Sequence, residues 1–340
     1  MKRKGLLAAV TVVSLILVLA LALPLATGCA KPGPEPEKMY RIGESVIIEH
    51  PDLKSDSEGF AKAMAEAGFV EGENVEYIRL CAEGDMSIAK SIADRFVAEK
   101  VDLIHSITTP NSQACVAAAE GTGIPIVFSS VTAPAMAEIV STWDAPRPDN
   151  VTGISDMIDI LPQMQMIRDI CPDFKILGTV YNAGEVNAAQ QVQELKELIA
   201  EVGIEKVVEA SCSTTAEVFT AAKSLVGRCD AIWIPSCNTA VSGLEAIVGV
   251  CEENQIPLFG STAEFPARGC IAGPATDYTV VGYLAGQYAA RVLLGEFPGD
   301  ILVIMGAGGE GVVVNPAAAE RMGVTIPQAV MDKAAEVITE

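Results

Sequence analysis

The sequence predicts an α/β protein with two doubly wound parallel sheets. From Tyr40 onward, short apolar runs alternate with segments in which apolar residues recur at helical spacing. This alternation breaks once, at the Pro-containing stretch 142–150, and then starts again. A chain of 340 residues is also longer than one ordinary domain. Two α/β halves follow from these three observations.

Residues 1–28 are predicted to be a signal peptide. Basic residues 2–4 precede an apolar stretch that runs to about Leu23, and Ala26-Thr27-Gly28 stands before Cys29. This pattern resembles a bacterial lipoprotein signal, in which the cysteine is lipidated and becomes the new N-terminus. The alternatives are cleavage by the ordinary signal peptidase and an uncleaved anchor helix. All three place the body of the protein outside the cytoplasm, and the Pro-rich residues 29–39 are predicted to be a tether.

In the first half, strands alternate with amphipathic helices that glycine often ends. The helix after the first strand, for example, carries Phe60 and Met64 on one side and ends at Gly68. The predicted strands are 41–49, 74–80, 101–107 and 124–129, and the predicted helices are 51–67, 86–99 and about 111–120.

The second half repeats this alternation. Thr214 to Glu217 is a capping-box pattern that begins one of its helices. The predicted strands begin at 151–155 and continue with 176–181, 206–210, 231–234 and 256–259. The predicted helices are 161–170, one that ends at Gly203, one from Thr214, and 239–253; the segment 272–277, a helix 278–294 and an apolar run 301–305 follow.

Charge and cysteine content limit the partners. The formal net charge of −21 argues against nucleic acid and anionic lipid as partners of the folded part. A solvated acidic surface explains it, and an acidic cleft for a cationic ligand is the alternative. Eight cysteines remain besides Cys29, with no C-x-x-C pair and no zinc-ligand spacing. They are either buried free thiols or, in an exported protein, disulfides.

Polar side chains follow the carboxyl ends of successive predicted strands, where open α/β sheets bind ligands. Hydroxyls and amides at helix N-termini suit a carboxylate, because free backbone N–H groups and the helix dipole meet it there. Capping of their own helices is the alternative role for each. The predicted ligand-binding residues of this kind are Ser106, Thr108, Thr109, Ser129, Thr132, Tyr181, Asn182, Ser213, Ser236 and Asn238.

Catalytic and nucleotide motifs are weak. Gly306 to Gly311 reads G-x-G-x-x-G, but residues 312–316 read as extended chain rather than as the start of a helix, so a flexible loop is the better interpretation. His50 and His105 belong to no recognisable Ser/His/Asp pattern; each either faces the cleft or lies in the core. Phe128, Tyr181, Trp233 and Tyr278 are candidates to stack on a ligand, and Trp233 is better placed for the core. No catalytic residue, cofactor or metal is predicted.

Many short stretches in order resemble one family, the ABC-transporter substrate-binding proteins that include tryptophan-binding lipoproteins. The matching stretches are Glu49-His50-Pro51, 68–75, 84–86, 96–104, Thr109-Pro110, 150–153, 181–187, Ser213 with Ala216-Glu217, 259–261 and Asp277-Tyr278. Relatives often have Pro-Thr-Asp-Asn where this chain has residues 235–238 with Cys237, and the acidic residue that commonly follows Gly-Ser is displaced to Glu264. Glu185, Glu264 or Asp277 could then meet the ammonium of a ligand.

The resemblance implies a type I periplasmic-binding-protein fold, in which two lobes joined by a hinge close on a ligand. The first lobe would hold 40–148 plus 273–297 and the second 149–272 plus 298–340. It implies a monomer that captures an amino acid or similar carboxylate metabolite and delivers it to an ABC permease and its ATPase. The membrane contact would be the lipid on Cys29. A sensor subunit with the same clamp and, less favoured, an exported enzyme are the alternatives.

Overall fold

The structure is a computed structural model that describes residues 38–306 and 311–339. The predicted signal peptide, Cys29 and most of the predicted tether lie outside the described residues, as do four residues of the G-x-G-x-x-G motif. The residues that follow this motif form a strand, Val312–Val314.

Strands and helices alternate along the described chain, as the sequence predicts. The strands are β1 (Tyr40–Val46), β2 (Val75–Cys81), β3 (Leu103–Ile107), β4 (Ile126–Ser129), β5 (Val151–Gly153), β6 (Ile176–Tyr181), β7 (Lys206–Ser211), β8 (Ala231–Ile234), β9 (Leu258–Gly260), β10 (Ala272–Pro274), β11 (Val312–Val314) and β12 (Glu336–Val337). The helices are α1 (Pro51–Glu66), α2 (Met86–Glu99), α3 (Thr109–Ala119), α4 (Ile160–Ile170), α5 (Val186–Leu198), α6 (Val218–Lys223), α7 (Asn238–Ser242), α8 (Leu244–Asn254), α9 (Glu264–Ala267), α10 (Tyr278–Leu293), α11 (Pro316–Arg321) and α12 (Gln328–Met331).

The first sheet is parallel throughout and has the order β2-β1-β3-β4-β5. Its two faces are covered by different helices. Leu103 packs with Phe60 of α1 and Val281 of α10, whereas its neighbour Ile104 packs with Phe96 of α2 on the other face. Because successive side chains of a strand point to opposite faces, burial on both sides makes β3 a continuous buried run.

Glycines bring α1 and α10 into close contact on the first sheet. A Cβ added at Gly282 of α10 would lie 1.8 Å from the carbonyl oxygen of Asp56 in α1. One added at Gly59 of α1 would lie 2.2 Å from the carbonyl oxygen of Thr279. No side chain fits at either position, so the two helices need both glycines to pack.

The second sheet has the order β12-β11-β10-β9-β8-β6-β7, and all its pairs are parallel except β10 with β11. Its core contains Leu177, Trp233 and Phe259. The fully buried indole of Trp233 donates from Nε1 to Oε1 of Gln163 at 3.0 Å. The predicted fold class, two parallel-sheet α/β lobes, is confirmed; the single antiparallel pair lies near the edge of the second sheet.

The chain passes between the sheets at several segments. A parallel bridge joins Ile154, next to β5, to Ile304. The hydroxyl of Thr152 and the buried guanidinium of Arg147 both donate to the carbonyl oxygen of Ile301, at 2.9 and 3.3 Å. These contacts fasten two connecting segments to each other. The predicted lobe boundaries at 148, 272 and 297 stay a prediction; β5 pairs within the first sheet and β10 within the second.

Two local predictions differ from the structure. The helix predicted over 239–253 is divided into α7 and α8 at Gly243, whose added Cβ would lie 2.9 Å from Cβ of Val218. Neither of the two reciprocal hydrogen bonds of a capping box forms at Thr214. The carboxylate of Glu217 accepts from the backbone N of Ser213 at 2.7 Å, but the Thr214 side chain makes no capping hydrogen bond.

The described residues contain free cysteines and no membrane-spanning helix. The eight cysteines from Cys81 to Cys270 are free thiols, and five of them are buried. Burial raises the pKa of the Cys115 thiol to about 12. Of the helices formed by residues 38–306 and 311–339, none has the length and hydropathy to cross a membrane.

Candidate functional site

A polar cavity lies where the carboxyl ends of the strands of both sheets meet. The cavity itself has a volume of about 30 Å³; about 380 Å³ between its walls is free of protein atoms when the space open to solvent is included. The residues on the side of the first sheet follow β1, β3 and β4; they are His50, Asp52, Leu53, Thr108, Ser130 and Thr132. Those on the side of the second sheet follow β6, β8 and β9 and include Asn187, Ser236, Asn238, Thr262 and Phe265. Asp156 and Tyr278, which follow β5 and β10, complete the wall.

The sequence-predicted site residues fall into two groups. Thr108, Thr132, Ser236 and Asn238 line the cavity. The others are not among its lining residues, and their role in ligand binding stays a prediction; they are Ser106, Thr109, Ser129, Tyr181, Asn182, Glu185, Ser213 and Asp277. Of the two histidines, His50 lines the cavity and His105 is fully buried in the first lobe.

On the first-lobe wall, Thr108 holds an unused hydroxyl at a helix N-terminus. It is the N-cap of α3, an 11-residue helix, with φ of +80°, and its side chain does not cap the helix. Its Oγ1 is buried and has no hydrogen-bond partner among the described residues. The α3 N-terminus adds the positive end of a helix dipole at the same place. This corner of the cavity is suited to an anionic group.

On the second-lobe wall, Asn187 offers an unused acceptor. Its Nδ2 donates to the backbone carbonyl of Ser236, which fixes the orientation of the amide. Its Oδ1 is buried, and no hydrogen-bond partner for it occurs in the described part of the chain. Since a buried carbonyl oxygen without a partner costs about 1–3 kcal/mol, a ligand N–H group placed here would be stabilising.

Asp156 places a carboxylate at the hinge side of the cavity. Its oxygens accept from Thr132 Oγ1 at 3.1 Å and from the Tyr278 hydroxyl at 2.8 Å. Burial raises the pKa of this carboxyl, while the two hydrogen bonds oppose the shift. Tyr278 and Phe265 provide the larger apolar surfaces of the wall. The cavity therefore combines an anionic group, an anion-binding corner and aromatic surfaces.

Glu185 is used inside the second lobe. Its carboxylate accepts from the backbone N atoms of Asn238 and Thr239 at 2.8 and 2.9 Å, and from both of their side chains. It therefore caps the N-terminus of α7, which carries Asn238 at the cavity. The sequence left open whether Glu185 meets the ligand or caps a helix; the helix it caps is α7 and not its own.

Three other predicted residues bond to neighbours in the same way. The Tyr181 hydroxyl donates to Glu209 at 2.5 Å, and Asn182 Nδ2 donates to Thr239 Oγ1 at 3.0 Å. Asp277 caps α10 by accepting from the backbone N of Thr279 at 2.8 Å. Asp277 was predicted as a candidate for the ammonium of a ligand, and in the structure its carboxylate caps its own helix.

A buried charge network lies behind the first-lobe wall. His105 donates from Nδ1 to Glu44 at 3.1 Å and bonds through Nε2 to Ser129 Oγ at 2.8 Å, while its ring stacks on Phe60. Ser129 in turn donates to Asp56 at 2.8 Å. Ser129, His105 and Glu44 have the connectivity of a catalytic triad, but the serine hydrogen points to Asp56 and the serine is fully buried. The arrangement holds α1 on the sheet and presents no nucleophile to the cavity.

Several wall residues were not predicted from the sequence. Asp52, Asp156, Thr262 and Phe265 were not among the predicted site residues, although all four line the cavity. Asp52 had a usable signal, because it stands in the first turn of the helix that follows β1. Asp156 and Thr262 had none, because their position depends on how the two sheets face each other.

Two parallel-sheet α/β lobes with a polar cavity between the carboxyl ends of their strands define a solute-binding protein of the type I periplasmic binding fold. The chain belongs to the family of ABC transporter substrate binding proteins, whose model matches residues 41–338. The predicted family is thereby confirmed.

Three similar proteins illustrate the family. The tyrosine-binding protein of Clostridioides difficile (strain R20291) is 35% identical over 302 residues, which cover 86% of each chain. An ABC domain from Streptococcus pneumonia in complex with L-Trp is 28% identical with a TM-score of 0.84, covering 88% of this chain and 100% of that one. The ligand-free, open structure of an adhesive substrate-binding protein from Clostridium difficile is 32% identical with a TM-score of 0.66, covering 89% and 100%.

Proposed function

We propose that this protein is the extracytoplasmic receptor of an ABC importer and that it closes on an aromatic amino acid. The observation that carries the proposal is a pair of buried atoms without a hydrogen-bond partner among the described residues, Thr108 Oγ1 and Asn187 Oδ1; their residues line one cavity from the two lobes. The Thr108 hydroxyl is a donor at a helix N-terminus, which suits a carboxylate. The Asn187 oxygen is an acceptor in a cavity that contains two aspartates, which suits an ammonium group. A zwitterion matches both.

The ligand would lie with its carboxylate at Thr108 and the N-terminus of α3. Its ammonium would contact Asn187 Oδ1 and the carboxylate of Asp156. Its side chain would pack on Phe265 and Tyr278. The names of the relatives agree with this chemistry, since one is a tyrosine-binding protein and another was solved with L-Trp.

Anchoring and delivery belong to the same proposal. The protein would be lipidated at Cys29, act as a monomer and pass its ligand to a permease and ATPase. Mass spectrometry of the detergent-extracted protein tests the anchor: a diacylglyceryl mass on a chain that begins at Cys29 is expected, and an unmodified chain that begins after residue 29 would contradict it.

Isothermal titration calorimetry with L-tyrosine and L-tryptophan tests the ligand class. Tyramine lacks the carboxylate and the des-amino acid of tyrosine lacks the ammonium, so each should bind about 10–100-fold more weakly than L-tyrosine. At about a hundredfold excess over the dissociation constant, a true ligand adds about 2.7 kcal/mol to the free energy of unfolding. Equal binding of tyramine and L-tyrosine would contradict the carboxylate site, and no binding of any aromatic amino acid would contradict the proposal.

A further inference from the structure

The N-terminus of α1 in the first lobe is capped by a side chain from the second lobe. His50 is the N-cap residue of this 16-residue helix, and its own side chain makes no capping hydrogen bond. Instead the carboxylate of Glu264, in the first turn of α9, accepts from the backbone N of Asp52 at 3.0 Å. The same oxygen, Oε2, lies 3.3 Å from His50 Nδ1. A helix that packs on the first sheet thus obtains its capping acceptor from the other lobe.

A second contact joins the same two segments. Thr262 Oγ1 donates to Oδ2 of Asp52 at 2.8 Å. Asp52 and His50 belong to α1, which packs in the core of the first lobe through Phe60 and Met64. Phe265, next to Glu264, packs in the core of the second lobe. Opening the cleft by separating the lobes would break all of these contacts, so they exist only in the closed arrangement.

The structure described here corresponds to that closed arrangement. Its TM-score to the L-Trp complex is 0.84, whereas its TM-score to the ligand-free, open relative is 0.66, although the open relative is the more identical in sequence.

Closing brings two carboxyl groups together. A ring nitrogen of His50 and one carboxylate oxygen each of Asp52 and Glu264 lie within 4.8 Å of one another, and all three residues are partly buried. Glu264 is well supplied with donors, because Oε1 accepts from Arg268 Nη1 at 2.9 Å in addition to the contacts of Oε2. Asp52 faces the charges of Glu264 and Asp156, and the side chain that donates to it is the neutral Thr262. Glu264 therefore has more donors, and charged ones, than Asp52. When two carboxylates lie this close together, protonation of one of them relieves their repulsion, and the one with fewer donors takes the proton.

From this geometry we propose that Glu264 and Asp52 form a latch between the lobes, and that the latch closes with uptake of one proton at Asp52. Glu264 is the ionised partner that caps α1. Asp52 is the protonated partner that accepts from Thr262 and no longer repels Glu264. The latch rests on the proposed function in one respect, namely that closure of the lobes captures the ligand.

The direction of the pH effect follows from the charged groups around the latch. Burial, and then the charges of Glu264 and Asp156, raise the pKa of Asp52 in the closed form. Burial also acts to raise the pKa of Glu264, but His50, the Asp52 amide and Arg268 outweigh it and hold that pKa at about 2. Arg268 also pairs with Glu245 at 2.8 Å, and the exposed Lys54 of α1 pairs with Glu58 instead of Asp52. The pKa of Asp52 is higher in the closed form than in the open form. Closure is therefore favoured at low pH and is lost as the pH rises through the pKa of Asp52 in the closed form.

Small-angle X-ray scattering of the ligand-free protein from about pH 5 to about pH 8 measures the closed fraction directly. Where Asp52 is protonated in the closed form and ionised in the open form, the closed-to-open ratio should fall by up to about tenfold per pH unit. Asp52→Asn should stay closed across this range without pH dependence, because the amide keeps the hydrogen bonds and carries no charge. Glu264→Ala should be more open at every pH. Glu58→Gln, an exposed change on the same helix, should behave like the unchanged protein.

Calorimetry with L-tyrosine in buffers of different ionisation enthalpy counts the protons taken up on binding. Up to one proton is expected for the unchanged protein and none for Asp52→Asn. The same pH dependence in both proteins would overturn the latch. So would closure that is lost with a chelator and restored by Zn²⁺, since a cation would then bridge His50, Asp52 and Glu264. If no aromatic amino acid binds, the proposed ligand class fails while the scattering measurement still decides on the latch.

Discussion

The carboxylate of Glu185 accepts hydrogen bonds from both the backbone N and the side-chain Nδ2 of Asn238, each at 2.8 Å. Glu185 precedes α5 and Asn238 begins α7, so the contact joins two loops that follow neighbouring strands of the second sheet. It holds Asn238 at the cavity wall through a residue that is itself not part of that wall. The loop after β6 therefore supports the site from behind.

Glu185→Gln should lower the free energy of unfolding by about 2–4 kcal/mol. The amide brings N–H groups against the backbone donors of Asn238 and Thr239, and the charge at the start of α7 is lost. Urea unfolding monitored by circular dichroism measures the change. Glu197→Gln, at an exposed position of α5, is the matched control and should change stability by less than about 0.5 kcal/mol. Equal stability of the two variants would show that the cap contributes nothing.

Thr108→Val should weaken binding of the amino acid by about 10–100-fold with little loss of stability. Valine keeps the shape of threonine but removes a hydroxyl that bonds to no described residue, so a contact to the ligand is the main interaction lost. Calorimetric titration with L-tyrosine measures the affinity. The exposed Thr220→Val provides the comparison. An unchanged dissociation constant in Thr108→Val would show that the carboxylate of the ligand does not bind at the N-terminus of α3.

Asp156→Asn should weaken ligand binding without lowering the stability of the protein. Because burial raises the pKa of Asp156, its ionised form destabilises the folded protein at neutral pH, and the amide removes that cost. The melting temperature near pH 7 should therefore be equal or higher, while the ammonium of the ligand loses its charged partner and binding weakens by about 10–100-fold.

Differential scanning calorimetry near pH 7 and at about pH 3 checks the sign of this effect, since the stability gain should vanish below the unfolded-state pKa of about 3.9, where aspartate is protonated in both states. The exposed Asp173→Asn is the control. A variant that is less stable and binds normally would assign Asp156 a structural role only.

The sequence predicted the cavity residues whose position depends on a single strand. Thr108 comes directly after β3, Asn238 begins the helix that follows β8, and the carboxyl ends of parallel strands share one edge of a sheet. Asp52 and Thr262 depend instead on contacts between residues 210 positions apart, across two lobes. Local periodicity places Asp52 in the first turn of the helix after β1, but it carries no information about the distance to Thr262, so the contact between the two residues was not predictable from it.

The partners of buried polar residues were also not predictable from the sequence. His105 was open between core and cleft, and the structure places it in the core, bonded to side chains of Glu44 and Ser129. Asp56 stands four residues before Phe60, on the same face of α1, and it is fully buried there. Its neighbours in space come from β4, and the spacing within α1 does not reveal them.

Asp56→Asn should remove a pH dependence of stability between about pH 4 and about pH 7. Burial raises the pKa of Asp56 to about 6, although His105 and the hydroxyls of Ser129 and Ser130 oppose the shift. A folded-state pKa above the unfolded one means that the stabilising contribution is complete below about pH 4 and is lost as the pH rises through about 6. A shift of about two units corresponds to about 3 kcal/mol.

The measurement is the difference between the unfolding free energies of the unchanged protein and Asp56→Asn, taken by urea titration at each pH. Taking the difference cancels other groups that titrate equally in both proteins. The unchanged protein should lose about 3 kcal/mol relative to the variant between about pH 4 and about pH 7. Asp94→Asn, an exposed change that removes the surface pair with Lys90, should follow the unchanged protein within about 0.5 kcal/mol. A difference that does not vary with pH would mean that Asp56 titrates alike in the folded and unfolded states, and that His105 and the two serines fully offset its burial.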